Sequence, residues 1–268
     1  MHKSLLREII LEQEKNRQTV DLGIKRSALD IVLKQISLSH AVVISGIRRS
    51  GKSTLLNQII SNCYEKGVYY LNFEDERLVD FAVTDFNNLY ETFLELFGER
   101  KVFFFDEIQN VPKWEIFVRR MQDKGCKFFI TGSNASLLSK ELGTKLTGRC
   151  VSIELYPFSF VEFLSFKGYK LQKNALSYTA ERAAIKKHFA EYLKHGGMPE
   201  YLKYKDPTLL KRVYEDILYR DIVARYDIKQ VKVLRELGLY FLSNIGGLFS
   251  YNNLKKVLGV GSMNTIKS

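Results

Sequence analysis

The sequence predicts an α/β fold, with a parallel five-stranded sheet flanked by helices and further helices toward the C-terminus. Over residues 1–155, short apolar runs alternate with helical patterns, which is typical of a parallel sheet with crossover helices. The apolar runs lack strict polar alternation, as expected for strands covered on both faces. After residue 155 the strand pattern stops, and apolar residues recur at spacings of three and four.

Five predicted strands and the helices between them make up the core. The strands are rich in Val, Ile, Phe and Tyr: Ala41–Ser45, Val68–Phe73, Lys101–Phe105, Lys127–Thr131 and Val151–Leu155. The predicted helices are Ser53–Cys63, Phe86–Phe97, Trp114–Lys124 and Ala135–Leu142. The first 18 residues carry charges through an apolar stripe, which indicates an amphipathic helix and not a signal peptide.

The residues after Tyr156-Pro157 are predicted to be helical. The spacing predicts helices at Phe158–Phe166, Tyr178–Lys194 and Pro207–Tyr226, with a break at residues 195–199. Two later helices, Val231–Asn244 and Ser250–Leu258, precede a Gly-Val-Gly turn, after which Ser262 is predicted to N-cap a third helix. This spacing suits a helix-turn-helix. The sequence stops at Ser268, before that third helix has two turns, so we expect a longer protein.

Composition narrows the class of protein. With 46% hydrophobic and 13% aromatic residues among 268, the chain can bury a core, and no apolar run approaches the about 20 residues of a membrane span. Cys63, Cys126 and Cys150 lack CxxC spacing and are odd in number, which argues against a disulfide framework. We therefore expect a cytoplasmic protein with no membrane partner.

The net charge of +11 lies mainly in the second part of the chain. Residues 1–150 carry 22 Lys and Arg against 19 Asp and Glu, whereas residues 151–268 carry 19 against 11. A basic C-terminal half suits the phosphates of DNA. A solvated helical surface would carry the same excess, so both interpretations stay open.

A phosphate-binding loop is predicted between the first strand and the helix after it. Residues 46–53, GIRRSGKS, match GxxxxGK[ST] at every defined position. Gly46 and Gly51 let the backbone curl around phosphates, while the helix N-terminus adds the positive end of its dipole. Lys52 is expected at the β- and γ-phosphates and the Ser53 hydroxyl at Mg²⁺. The other predicted nucleotide-binding residues are Arg48, Arg49, Ser50 and Thr54, and the two arginines could instead face solvent or nucleic acid.

An acidic pair follows the third predicted strand. Asp106 and Glu107 come at the carboxyl end of an apolar run, where parallel sheets bind ligands. We assign Asp106 to Mg²⁺ and Glu107 to orienting and deprotonating the attacking water. A glutamate beside the aspartate favours hydrolysis over transfer to a small molecule, which needs no activated water.

Three more polar residues are candidates for catalysis. Ser133 and Asn134 follow the fourth strand and could sense the γ-phosphate, although both residue types also serve as helix N-caps. Arg149 lies just before the fifth strand and could stabilise transition-state charge on a neighbouring subunit's nucleotide. A salt bridge or a lid contact is an equally valid interpretation of Arg149.

In this order, these elements resemble AAA-type ATPases, and more narrowly the prokaryotic group with a C-terminal domain of unknown function. The segments that carry the resemblance are GIRRSGKSTLL, FFDEIQNVPKWE, ITGSNASLLSKELGTKLTGR, YPFSFVEFL, GGMPEYL and LYRDIVARYDIK. The resemblance implies a sheet order of 5-1-4-3-2, an ATPase core over 1–155, a helical lid over 156–229 and an incomplete winged-helix region over 230–268. It also implies ATP as the nucleotide, with Arg17–Arg26 near the base.

The leading hypothesis is an Mg²⁺-dependent ATP hydrolase that binds ATP and ADP and whose nucleotide state repositions the lid and the winged-helix region. DNA is the expected target, and a trans role for Arg149 would require a homo-oligomer. The alternative is a slow nucleotide switch or a protein-docking module in signalling or defence.

Overall fold

The computed structural model describes residues 1–64, 67–132, 146, 148–172 and 174–259. The chain divides into two compact units, Met1–Lys205 and Asp206–Ser268. The boundaries predicted at residues 155 and 229 stay a prediction. The predicted helix Ala135–Leu142 lies outside the described residues.

The first unit is built on a parallel sheet with the strand order β2-β3-β4-β1-β5. The strands are β1 (Ala41–Ser45), β2 (Tyr69–Asn72), β3 (Val102–Asp106), β4 (Lys127–Gly132) and β5 (Cys150–Glu154). In the centre, Val42 of β1 is in register with Phe129 of β4 and Val151 of β5. The order is the one that the resemblance implies, so the predicted α/β fold is confirmed.

Helices cover both faces of this sheet and continue beyond it. In the first unit they are α1 (Lys3–Gln18), α2 (Ser27–Leu33), α3 (Lys52–Cys63), α4 (Phe86–Phe97), α5 (Glu115–Asp123), α6 (Phe160–Phe166), α7 (Thr179–His195) and α8 (Pro199–Tyr204). The sequence analysis missed α2 and α8. They span only seven and six residues, and α8 begins at Pro199, the last residue of the predicted break.

Aromatic side chains fill the core on both faces of the sheet. Phe103 stacks on Phe128 with ring centroids 4.8 Å apart, and Phe104 stacks on Phe129 at 4.6 Å. Neighbouring residues of a strand point to opposite faces, so the two stacks belong to the two separate cores. Burial on both sides explains why these strands are apolar without alternation.

Helix α1 protects the open edge of the sheet at β2. The Gln13 side-chain amide donates to the Asn72 carbonyl at 3.1 Å and accepts from the Asn72 N–H at 2.8 Å. The side chain thus replaces a neighbouring strand at the end of β2, where an unpaired edge would invite association.

The break predicted at residues 195–199 packs against the segment that follows the last strand, at Phe158. The Phe158 N–H donates to the Gly197 carbonyl at 2.8 Å, and a Cβ on Gly197 would lie 2.1 Å from the Phe158 carbonyl oxygen. The Tyr192 hydroxyl donates to the same oxygen at 2.8 Å. Glycine is therefore required here by close backbone approach.

The second unit is helical throughout its described residues apart from short connections. It contains α9 (Pro207–Asp216), a π-helical stretch (Ile217–Val223), α10 (Ala224–Tyr226), α11 (Val231–Ser243) and α12 (Tyr251–Val257). Ser250 caps α12 by accepting from the Asn253 N–H at 3.2 Å. The helix predicted at Ser262 lies outside the described residues, so the helix-turn-helix and the winged helix stay predictions. Among the described residues, no helix is both long and apolar enough to cross a membrane.

Candidate nucleotide-binding site

The predicted phosphate loop connects β1 to α3 and packs against the end of β5. The Leu155 N–H donates to the Ser45 carbonyl at 2.7 Å. Gly46 has φ 152°, and a Cβ there would lie 2.3 Å from the Leu155 carbonyl oxygen. Gly51 has φ 95°, a left-handed value that disfavours other residues. The two glycines of the motif are therefore needed for different reasons, close packing at Gly46 and backbone shape at Gly51.

Lys52 begins α3 and lies within the loop, with 4% of its surface exposed. Its Nζ donates to the Ile47 carbonyl at 3.2 Å and lies 3.5 Å from Oε1 of Glu107. The hydroxyl of Ser50, also buried in the loop, has no hydrogen-bond partner among the residues that the structure describes. Buried hydroxyls are normally satisfied. A buried ammonium group and a buried hydroxyl in the same curled loop fit a phosphate ligand.

Asp106 ends β3 and is fully buried. It accepts hydrogen bonds from the Thr131 hydroxyl at the end of β4 and from Ser53 in the first turn of α3. The Tyr70 hydroxyl lies 3.5 Å from its Oδ2. Burial raises the pKa of Asp106, and the charge on Glu107 adds to this, while the bonds from Ser53 and Thr131 oppose it. The two predicted metal ligands, Ser53 and Asp106, are therefore in contact.

Glu107 has a strained backbone, and its carboxylate lies close to Lys52. Its φ is 51°, a left-handed value that is rare for a residue with a side chain. Its N–H donates to Oγ1 of Thr131 at 3.1 Å, and its Oε2 accepts from the Gln109 amide at 2.5 Å. Thr131 thus contacts both residues of the acidic pair and fixes their relative position.

The charges of this cluster suit a metal-bound polyphosphate. Among its described residues, one ammonium group, that of Lys52, faces the carboxyl groups of Asp106 and Glu107. Buried carboxyl groups need compensating partners, and a bound cation can supply one. A hydroxyl and a carboxylate in contact are ligands that Mg²⁺ accepts. The donor set therefore fits Mg²⁺ held by Ser53 and Asp106.

The two arginines of the loop each lie close to an acidic residue. Arg48 Nη1 lies 3.7 Å from Oε1 of Glu74, and Arg49 pairs with Glu200 on α8. Arg49 itself has φ 62°. Both arginines were predicted to bind nucleotide, and that role stays a prediction. Thr54, next to Ser53 in the first turn of α3, is partly exposed.

The remaining predicted residues lie elsewhere. Ser133 and Asn134 lie outside the described residues, so their sensor role stays a prediction. Arg149 precedes β5 at the amino ends of the strands, where its carbonyl accepts from the Ala41 N–H at 2.9 Å. Its guanidinium pairs with Asp123 at 2.5 Å, and both side chains are largely exposed. Arg149 is therefore at the opposite edge of the sheet from the loop of its own chain.

Sequence reasoning missed Thr131 and Arg26 as contributors to the site. Thr131 was counted as the last residue of a strand, and its position beside Asp106 follows from the pairing of β3 with β4. Arg26 lay at the end of the segment predicted near the base, yet its Nη1 donates to the Ser50 carbonyl at 2.6 Å. The sequence did carry a signal for Thr131, because a threonine at the end of the strand next to an acidic pair can reach that pair. No feature of the sequence indicated the role of Arg26.

The loop, lysine and paired carboxyls at the carboxyl edge of a parallel sheet define a P-loop nucleotide-binding protein. Residues 38–164 match the AAA domain family, and residues 186–268 match a domain of unknown function, DUF8612. The chain therefore carries an AAA domain followed by a C-terminal domain of unknown function. This confirms the resemblance found from its motifs.

Two curated relatives are themselves uncharacterized. A protein of Methanocaldococcus jannaschii is 37% identical over 263 residues, covering 95% of this chain and 57% of the relative. A protein of Haemophilus influenzae is 35% identical over 227 residues, covering 81% of this chain and 54% of the relative. The chain thus spans little more than half the length of these relatives.

Solved structures give weaker likenesses. The Walker-type ATPase of Pyrococcus abyssi is 17% identical with a TM-score of 0.43, covering 91% of this chain and 89% of that one. The Aeropyrum pernix ORC1 protein in complex with DNA is 12% identical with a TM-score of 0.38, covering 88% and 82%. These scores are too low to carry a conclusion for this chain.

Proposed function

We propose that the chain binds ATP with Mg²⁺ and hydrolyses it. The observation that carries this proposal is the buried cluster of Lys52, Asp106 and Glu107, together with a buried Ser50 hydroxyl that has no partner among the described residues. The loop N–H groups and Lys52 would hold the β- and γ-phosphates. Ser53 and Asp106 would hold Mg²⁺, which neutralises charge on the phosphates. Glu107 would accept the proton of the attacking water.

The contact between Lys52 and Glu107 supports this division of roles. Lys52 Nζ is 3.5 Å from the Glu107 carboxylate, so a γ-phosphate bound by Lys52 would lie beside Glu107. The phosphate would then replace Glu107 as the main partner of the ammonium group. The carboxylate would be released next to the bond that is to be hydrolysed, where a general base must act.

Two substitutions separate binding from hydrolysis. Lys52→Ala should weaken Mg²⁺-dependent ATP affinity by at least about tenfold, because it removes a charge-assisted contact to phosphate. Glu107→Gln should retain that affinity and lose about 100-fold in turnover, since general-base contributions are of this order. Lys211→Ala, a surface substitution in the second unit, is the control and should change neither quantity. ATP affinity unchanged in Lys52→Ala would contradict the proposal.

A slow nucleotide switch is the second candidate function, and the two contacts on Glu107 favour it. The carboxylate is bonded by Gln109 at 2.5 Å and paired with Lys52, which would hold the base in reserve. A switch predicts low phosphate release by the wild type and faster release by Gln109→Ala. Fast release by the wild type, unchanged in Gln109→Ala, favours the hydrolase.

We further propose that the nucleotide state repositions the helical lid and a winged-helix region, with DNA as the target. The support is the excess of 19 Lys and Arg over 11 Asp and Glu in residues 151–268. A binding titration with double-stranded DNA should show affinity that falls steeply with NaCl concentration. Affinity indifferent to salt would exclude phosphate contacts as its source.

A homo-oligomer in which Arg149 contacts a neighbour's nucleotide is part of the same proposal. The test mixes Arg149→Ala with Glu107→Gln: if the arginine acts across subunits, the mixture should recover turnover that each variant lacks alone.

We place the protein in the cytoplasm, a proposal supported by the free thiols of Cys63, Cys126 and Cys150.

A further inference from the structure

We propose that Arg26 is a positioning residue that orients the Ser50–Gly51 peptide toward the phosphates and ties this peptide to helix α6. This inference deepens the proposed function, since it rests on phosphate binding by the loop. Arg26 lies before α2 and belongs to no nucleotide-binding motif. Its side chain nevertheless reaches the loop between β1 and α3.

The Arg26 guanidinium is buried and donates in three directions. It is 3% exposed, and its Nη1 donates to the Ser50 carbonyl at 2.6 Å. Its Nη2 donates to the Tyr156 carbonyl at 2.6 Å, and its Nε to Oε1 of Glu162 at 3.0 Å. The guanidinium carbon also lies 5.0 Å above the Phe158 ring centroid. A planar fork with donors at fixed angles suits three such acceptors, whereas the single ammonium of lysine does not.

The bond to Ser50 determines where the Gly51 N–H points. In a trans peptide the C=O and the following N–H point in opposite directions. With the Ser50 carbonyl directed at Arg26, the Gly51 N–H points away from the guanidinium, and we infer that this side is where the loop holds the phosphates. A Cβ on Gly51 would lie 3.0 Å from Nη1 of Arg26, so glycine also gives the guanidinium room to approach.

The other end of the network fixes the start of α6. Oε1 of Glu162 accepts from the Ser27 N–H at 2.7 Å as well as from Arg26, and its Oε2 accepts from the Ser159 N–H at 2.8 Å. Burial acts to raise the pKa of Glu162, but the N–H groups of Ser159 and Ser27 and the Arg26 guanidinium outweigh it and lower the pKa. Gln58 on α3 holds the backbone of Arg26, whose N–H donates to Oε1 of Gln58 at 3.2 Å.

The network therefore joins a loop peptide to α6 through a single side chain. A phosphate bound by the Gly51 N–H fixes the same peptide whose carbonyl Arg26 holds. Ordering at the loop is thereby linked to ordering at the N-terminus of α6, and the reverse holds by thermodynamic reciprocity.

The test compares Arg26→Lys with a matched arginine elsewhere. Arg100 also donates to a backbone carbonyl, that of Val68 at 2.7 Å, and lies 4.5 Å from the Phe97 ring centroid, but at the amino edge of the sheet. We expect Arg26→Lys to weaken both ATP and inorganic tripolyphosphate binding by about tenfold, the value of one charge-assisted hydrogen bond. Arg100→Lys should leave both affinities unchanged. Calorimetric titration of each folded protein gives the values.

A second variant separates positioning from general stability. Glu162→Gln keeps the Arg26–Ser50 bond and loses an acceptor for the Ser159 N–H, so its melting temperature should fall while ATP affinity stays within about threefold. Unchanged affinity in folded Arg26→Lys would overturn the positioning role. If wild type itself bound neither ATP nor tripolyphosphate, the proposed function would fail instead.

A measurement on the wild-type chain makes the test independent of how the variants fold. If the network links the loop to α6, ATP should slow amide hydrogen exchange across residues 160–166 at concentrations that saturate the site. ATP binding without any change in exchange over these residues would overturn the link to α6.

Discussion

Thr131 bonds both residues of the acidic pair, so we expect it to contribute strongly to the stability of the fold. The substitution Thr131→Val tests this. The substitution keeps the shape of the side chain and removes its hydroxyl. Thr131 is fully buried, its hydroxyl donates to Asp106, and its oxygen accepts from the Glu107 N–H at 3.1 Å. Valine would leave a buried carboxylate oxygen and a buried N–H without their partner at the same time.

The expected cost follows from those two lost bonds. A bond to a charged group contributes about 1.5–3 kcal/mol and a neutral one about 1 kcal/mol, so Thr131→Val should cost about 2–4 kcal/mol. Urea unfolding measures the loss as a lower midpoint at constant slope. Thr92→Val is the matched control: its buried hydroxyl donates within α4 to the Asn88 carbonyl at 2.7 Å, a carbonyl already within a helix. If Thr131→Val costs no more than Thr92→Val, the assigned role is wrong.

Two further substitutions test the close packing at Gly46 and the ion pair between Asp75 and Arg77. Gly46→Ala should cost more than about 2 kcal/mol, because the new Cβ would lie 2.3 Å from the Leu155 carbonyl oxygen, whereas Gly23→Ala, with φ 58° and open space, should cost about 1 kcal/mol in thermal unfolding. The Arg77 guanidinium holds the pKa of Asp75 at about 2, below its unfolded value of 3.8, so this carboxylate stabilises the fold above about pH 4 by up to about 2 kcal/mol. That stability should be lost as the pH falls toward 2, and Asp75→Asn should lose it at every pH; equal acid unfolding of both proteins would contradict the assignment.

The sheet was predictable because burial on both faces leaves a strong local signal. The five strands were located to within one residue at each end, and α4 was predicted with its observed bounds. The strand order followed from the resemblance to a family and not from the strands themselves. The π-helical stretch Ile217–Val223 lay inside a predicted α-helix, because both helix types place apolar residues at similar spacings.

The site was predictable where its residues sit next to the strands that position them. Lys52 and Ser53 follow the end of β1 by seven and eight residues, and Asp106 is the last residue of β3, so sequence motifs carry their geometry. Arg26 acts on Ser50, 24 residues away, and on Glu162, 136 residues away. Such contacts depend on how α2, α3 and α6 pack against one another, and this packing cannot be predicted from the spacing of residues along the sequence.

Arg149 shows how topology restricts a role that sequence leaves open. It precedes β5, which runs parallel to β1, whereas the loop follows the carboxyl end of β1. Five strand residues at about 3.3 Å each separate the two edges by about 16 Å, more than an arginine side chain can bridge. A nucleotide that Arg149 touches must therefore belong to another chain. Its pair with Asp123 is no obstacle, since ion pairs this exposed contribute about 1 kcal/mol or less.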